Sequence, residues 1–312
     1  MRINLQRLQL RLDKFKPCIK SIMWKVLLFV VFPFIASCGV NKPSSAPQSP
    51  VQLPPIRFLL TFDDGPSGAR QNNPTEKILE TLAGNSIQPD IKAIFFVQTR
   101  AVRGGGTDIG QHLLRRIHNE GHLLAFHSAT THHVNHLSLA GEELDASLQI
   151  GIADLANVTG RAPQFVRPPY WGYSADTLSS YERAGLHMLL TDLSANDGKI
   201  HGVNWSFRKH SNFFHQLHQA KQKIAEGQLE AVDGNIPIVV TFHDVNPYTA
   251  RRMDVYLRIL VQVANELQLS LAAKPFFDDR DEIERAAMAR AVKDATAAAY
   301  IPGIWGWWWG VK

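Results

Sequence analysis

Residues 56–68 read IRFLLTFDDGPSG. A short, mostly apolar run bounded by turn-forming residues is the pattern of a buried strand, and here two carboxylates follow it at once. Working outward, the pattern recurs in IKAIFFVQT (91–99), HLLAFHS (122–128), QFVRPPY (164–170), HMLLTDLS (187–194) and IPIVVTFHD (236–244). Helical stretches lie between these runs. PTEKILETLAG (74–84) is opened by Pro74 and stopped by Gly84, and IGQHLLRRIHNEG (109–121) is ended by Gly121. Residues 139–160, SADTLSSYERAG and 254–268 read as further helices. Strands alternating with helices imply βαβ units and a mostly parallel sheet or barrel. Asp63, Asp64, His127, Arg167, Asp192 and His243 all fall at or just after expected strand ends. In a (β/α) barrel those ends converge on the face where active sites are built, so these six side chains are expected to meet. Residues 199–235 read as a helical insertion before the last core strand, and their histidines, His201, His210, His215 and His218, as surface or packing residues.

The residue types suggest hydrolytic chemistry at a cation. Adjacent side chains on an extended segment point in different directions, so one carboxylate of Asp63–Asp64 can ligate while the other takes a proton from water. AFHSATTHHVNH (125–136) concentrates His127, His132, His133 and His136 in twelve residues. Two neutral imidazoles and one carboxylate leave an open coordination position, the pattern of a catalytic site. Such a mixed N/O set suits Zn, Co, Ni or Fe. Arg167 offers a planar fork for a carboxylate. The rigid Pro168–Pro169 pair can aim the Tyr170 N–H as an oxyanion donor. His243 ends an apolar strand and can act as an acid near neutrality.

In order and spacing these motifs resemble the polysaccharide deacetylases with the NodB-homology domain, carbohydrate esterase family 4. The elements are TFDDG at 61–65, HS at 127–128, RPPY at 167–170, Asp192 or Asp197 in TDLSANDG, and TFH at 241–243, and the likeness runs over residues 56–272. The resemblance implies a distorted (β/α) barrel of the NodB-homology type that removes N-acetyl groups from an N-acetylglucosamine-containing polysaccharide: peptidoglycan, an exported poly-N-acetylglucosamine or a chitin-like polymer. A water on the metal would attack the amide carbonyl. It implies Asp63 as general base and Arg167 as its orienting partner. Asp64 and His127 become metal ligands, and His243 the acid, held by Asp197 or Asp192, with Asp197 preferred. Metal and Tyr170 N–H would stabilise the oxyanion, the metal being Zn²⁺ first, with Co²⁺, Ni²⁺ or Fe²⁺ as alternatives. The family's third ligand stands four residues after the first, but position 131 is threonine. His132, at i+5, needs a smaller loop adjustment than His133, at i+6, so His132 is expected to ligate, with His136 a bystander. Thr241 replaces the leucine of the fifth motif, which alters the slot for the acetyl methyl.

The formal charge of +5 is unevenly placed. Residues 1–38 hold seven of the 33 Lys/Arg and one of the 28 acids, leaving 26 basic against 27 acidic residues, a net charge of −1. The basic pI of about 9.2 therefore carries no implication of nucleic-acid binding. Residues 1–38 read as a signal peptide, with translation starting at Met1 or Met23. Its apolar run, Val26–Ile35, is too short to span a bilayer. IASC (35–38) resembles a lipobox, which would lipidate Cys38 and anchor the chain to an envelope membrane, the outer one if the cell is Gram-negative. Residues 39–55, with five prolines, read as a tether. Residues 56–275 are the expected catalytic domain. Residues 276–312 are set apart as a C-terminal helix with a Trp-rich tail. The competing readings are a related C–N or acyl hydrolase on another substrate, and a decayed glycan-binding lipoprotein.

Overall fold

The structure is a computed structural model, and it describes residues 53–198 and 209–293. The leader with Cys38, nearly all of the tether, His201 and the Trp-rich tail lie outside these residues. Strand β1 (Ile56–Asp63) is buried along its whole length. Asn73 then caps helix α1 (Pro74–Ala83): its Oδ1 accepts from Thr75 N at 3.0 Å, and Pro74 supplies the fixed φ of a first helical residue. The chain continues through β2 (Ile94–Gln98), α2 (Asp108–Asn119), β3 (Leu123–Ser128), α3 (Gly141–Thr159), β4 (Phe165–Val166), α4 (Ala175–Arg183), β5 (His187–Met188) and β6 (Leu193–Ser194). After α5 (Lys209–Ala225) come β7 (Ile236–His243), α6 (Pro247–Glu266), β8 (Leu271–Phe276) and α7 (Arg280–Arg290). The strand order is β5-β4-β3-β2-β1-β7-β6, with β8 joined to β1 and every pairing parallel. This is a distorted (β/α) barrel, open between β5 and β6.

The period-2 alternation of strands explains both the core and the site. On β1, Phe58, Leu60 and Phe62 join the apolar layer shared with the helices, while Leu59 belongs to the inner cluster. Thr61 and Asp63 continue that inner row. The same inward rows run Ile94–Phe96–Gln98 on β2, Leu123–Ala125–His127 on β3 and Val239–Thr241–His243 on β7. Each begins apolar and ends polar. Register then sets the polar ends side by side, because Asp63 pairs with His243 across β1 and β7. Phe126 pairs with Val166, placing His127 and Arg167 on neighbouring strand ends.

Two expectations about organisation need correction. HMLLTDLS is not one strand but β5 and β6, and the chain between them crosses from one edge of the sheet to the other. The boundary at 275 is also misplaced. It cuts β8, and Phe277, Ile283, Ala286 and Ala287 pack into the inner cluster with Leu59, Ile94 and Val239. Helix α7 thus closes the barrel end opposite the site. Of the insertion's histidines, His215 and His218 are exposed and His210 pairs with Glu266, in keeping with surface positions.

Candidate active site

The turn after β1 separates its two carboxylates. Asp64 adopts φ +73°, in the left-handed region that Asp tolerates better than most residues. Asp63 and Asp64 thereby face different partners. Gly65 is required there, since a Cβ would lie 2.0 Å from an oxygen of the buried Asp244 carboxylate. Asp63 accepts from Arg167 Nη1 at 2.8 Å. The Arg167 side chain is fully buried, and its guanidinium also donates to Thr61 Oγ1 (2.7 Å) and to the carbonyls of Leu189 (2.9 Å) and Leu190 (3.1 Å). It also lies over the Phe96 ring at 4.1 Å. Its burial lowers its pKa while Asp63 pulls it back, and the two side chains are held together beneath the site.

Asp64 Oδ1 lies 3.2 Å from His127 Nε2 and 3.4 Å from His133 Nε2, and the two imidazole nitrogens are 3.2 Å apart. Tetrahedral ligands at roughly 2.0–2.1 Å from a zinc ion stand about 3.3 Å from one another, so this triangle has the dimensions of a ready-made divalent-cation site. The donors are also in suitable states. His127 Nδ1 bonds the Arg167 carbonyl at 2.8 Å, which fixes the tautomer and leaves the Nε2 lone pair facing the cluster. Burial, reinforced by the neighbouring His127 and His243, holds His133 down at about 4 against the pull of Asp64 and Asp63. Burial alone would raise Asp64, but its contact with His127 and the surrounding imidazoles of His243 and His133 hold it well below the usual carboxylate range. The set is an anionic carboxylate with a neutral His133, as a metal requires.

On the other flank, His243 Nδ1 bonds Asp197 Oδ1 at 2.8 Å. Asp197 is buried and also accepts from His243 N (3.0 Å) and Thr249 Oγ1 (2.5 Å). Burial works against the imidazolium, but Asp197, backed by Asp64 and Asp63, lifts His243 to about 10. His243 is therefore cationic at neutral pH.

The structure brings together Asp63, Asp64, His127, Arg167, Asp197 and His243, with Tyr170 at the rim. It does not bring in His132. That side chain is exposed, and Thr130 Oγ1 bonds the His132 carbonyl, turning the loop so that His133 faces inward. The loop thus inserts two residues relative to the family's spacing, not one. Asp192 also lies elsewhere, accepting from Val239 N (2.9 Å) and Arg290 Nη2 (2.6 Å). His136 is buried in the core against Tyr181 at 2.7 Å. Gln98, whose Nε2 donates to the Asp64 carbonyl at 3.3 Å, was missed. The alternation Ile94–Phe96–Gln98 carried the signal, since it puts Gln98 at the polar end of an inward row.

Residues 51–189, which include the TFDDG, HS and RPPY segments, match the family model for polysaccharide deacetylase. Residues 51–189 of this chain are thus similar to the polysaccharide deacetylases. The chain is 27% identical over 143 residues to a chitin deacetylase of Pestalotiopsis sp, covering 46% of this chain and 44% of that one. It is 26% identical over 212 residues to a peptidoglycan-N-acetylglucosamine deacetylase of Bacillus cereus, covering 67% of each chain. The chain therefore spans less than half the length of that first relative. The chitin deacetylase structure from Colletotrichum lindemuthianum superposes with a TM-score of 0.50 at 20% identity, covering 71% of this chain and 88% of that one, a likeness of fold.

Proposed function

We propose that this protein is a polysaccharide deacetylase, a metal-dependent N-deacetylase acting on an N-acetylglucosamine-containing polysaccharide of the cell envelope. The observation that carries this reading is the Asp64–His127–His133 triangle, flanked by Asp63 on Arg167 and by His243 on Asp197. A divalent cation held there, zinc first by its donor set, supplies Lewis-acid polarisation of an acyl oxygen and lowers the pKa of water. The remaining chemistry belongs to this chain. Asp63, aimed by Arg167, takes a proton from the attacking water. The Tyr170 N–H donates to the oxygen on which negative charge develops. His243, already protonated, gives its proton to the departing nitrogen, its ring held in place by Asp197. Water and an acetamide become acetate and an amino sugar.

The names of the relatives support chitin-like or peptidoglycan glycans as the substrate class. The test is acetate release from N-acetylglucosamine oligomers and from peptidoglycan, after chelation and again with Zn²⁺ or Co²⁺ restored. Metal-restored release is expected, together with a loss of at least about 10²-fold in Asp63→Asn. Folded, metal-loaded protein that releases no acetate from either polymer would reject this substrate class.

A further inference from the structure

We infer that the side chain of Tyr170 is a positioning residue for the third cation ligand, so that one residue fixes both His133 and the backbone amide beside it. The inference rests on the cation site proposed above. His133 comes from segment 129–135, which has neither helix nor strand to hold it. The Tyr170 ring stacks on the His133 imidazole with centroids 4.4 Å apart and planes 21° apart. The Tyr170 hydroxyl also donates to the His133 carbonyl at 3.1 Å. One residue thus grips both the ring and the backbone of the ligand.

The backbone of Tyr170 supports the same reading. Tyr170 (φ +58°) and Trp171 (φ +61°) are consecutive non-glycine residues in the left-handed region. Each such conformation is strained in a residue with a side chain and persists only where its surroundings over-determine it. Here the proline pair precedes the turn, Trp171 lies 5.3 Å from the Arg167 guanidinium, and Tyr170 is seated on His133. The turn meets the ligand loop a second time at Gly172, where a Cβ would lie 2.7 Å from Asn135 Oδ1. Turn 168–172 and loop 131–137 are therefore fastened at two points, and the first is the ligand itself. Of two adjacent histidines, the one gripped by Tyr170 faces Asp64, and the other, His132, is exposed.

The left-handed backbone provides a clean test, because glycine adopts it without strain. Tyr170→Gly removes the ring and hydroxyl and leaves the turn at ease, whereas Tyr170→Phe keeps the stack and loses only the hydroxyl bond. Zn²⁺ affinity would be measured by competition with a chromophoric chelator, and the Co²⁺ site by its d–d absorption. Tyr170→Gly should bind Zn²⁺ about 10–100-fold more weakly, the range for losing a group that orients a ligand. Its Co²⁺ bands should change, and the metal-free protein should melt no lower than wild type. Tyr170→Phe should recover most of the affinity and the wild-type Co²⁺ bands. His132→Ala should match wild type, and His133→Ala should fall below Tyr170→Gly. Wild-type affinity and Co²⁺ spectrum in Tyr170→Gly would overturn this inference alone. A wild-type protein that holds no cation would overturn the proposed site and this inference with it.

Discussion

Asp197 and Asp192 are five residues apart, and only the first reaches His243. Its carboxylate receives the His243 ring and amide and the Thr249 hydroxyl, so its position is fixed from three directions. Burial opposes the imidazolium, yet His243 stays protonated to about pH 10 because Asp197, with Asp64 and Asp63 behind it, outweighs that cost. The sign of the expected pH effect follows. An acid must be protonated to act, so activity falls as pH rises through its pKa. Asp197→Asn removes the largest stabilising charge, lowers that pKa and moves the alkaline limb of the kcat profile to lower pH. A loss of roughly 10²-fold in kcat should accompany it. An unmoved alkaline limb in Asp197→Asn would show that His243 is not the acid. The local choices in this region were only partly legible in the sequence. Carboxylates at a strand end are visible in TFDDG, but the decision between His132 and His133 is made by Thr130 bonding a carbonyl and Tyr170 seating a ring. Neither contact has a sequence period.

At the scale of elements, strand alternation carried most of the fold. Runs such as Leu59–Thr61–Asp63 and Val239–Thr241–His243 state their own orientation, since every second residue faces inward and the last is polar. Elements without such a period were misread. Strands β5 and β6 have two residues each and no room for alternation, and β8 carries Lys274 and Pro275 in an otherwise apolar run. Helix α7 was set outside the domain because its Ala-rich, charged sequence shows little amphipathic pattern. It buries only Ile283, Ala286 and Ala287 among its apolar residues, a narrow stripe that small side chains let approach the barrel end. Such close packing makes Ile283 costly to truncate. Ile283→Ala should destabilise by about 2–5 kcal/mol through lost burial and the cavity left behind, read by chemical denaturation of the metal-free protein. A change below about 0.5 kcal/mol, the level of a surface substitution, would mean that α7 does not close the barrel.

For the whole molecule, charge divides the chain into two parts with different work. Seven of its 33 basic residues precede Cys38, and the remainder carries a net charge of −1. A nearly neutral domain has no electrostatic hold on an anionic membrane, whose attraction falls off within about a Debye length of 8–10 Å. The net charge of residues 39–312 therefore gives no hold on a membrane, and the lipobox-like IASC of the N-terminal segment offers one. We propose that Cys38 is lipidated and that residues 39–55 tether the catalytic domain to the envelope. Seventeen residues reach at most roughly 60 Å when fully extended, enough to let the polar barrel end work across nearby polymer while staying bound. Full-length protein expressed in a bacterial host should then sediment with membranes, incorporate an alkyne-tagged fatty acid and be released by detergent but not by high salt. Cys38→Ala should take up no label and move to the soluble fraction, its deacetylase rate on soluble oligomers staying within about twofold, since no catalytic group changes. Unlabelled wild-type protein would reject the anchor and leave a secreted or periplasmic enzyme. Labelled protein that salt alone removes would show that charge and not the lipid holds it to the membrane, rejecting the anchor.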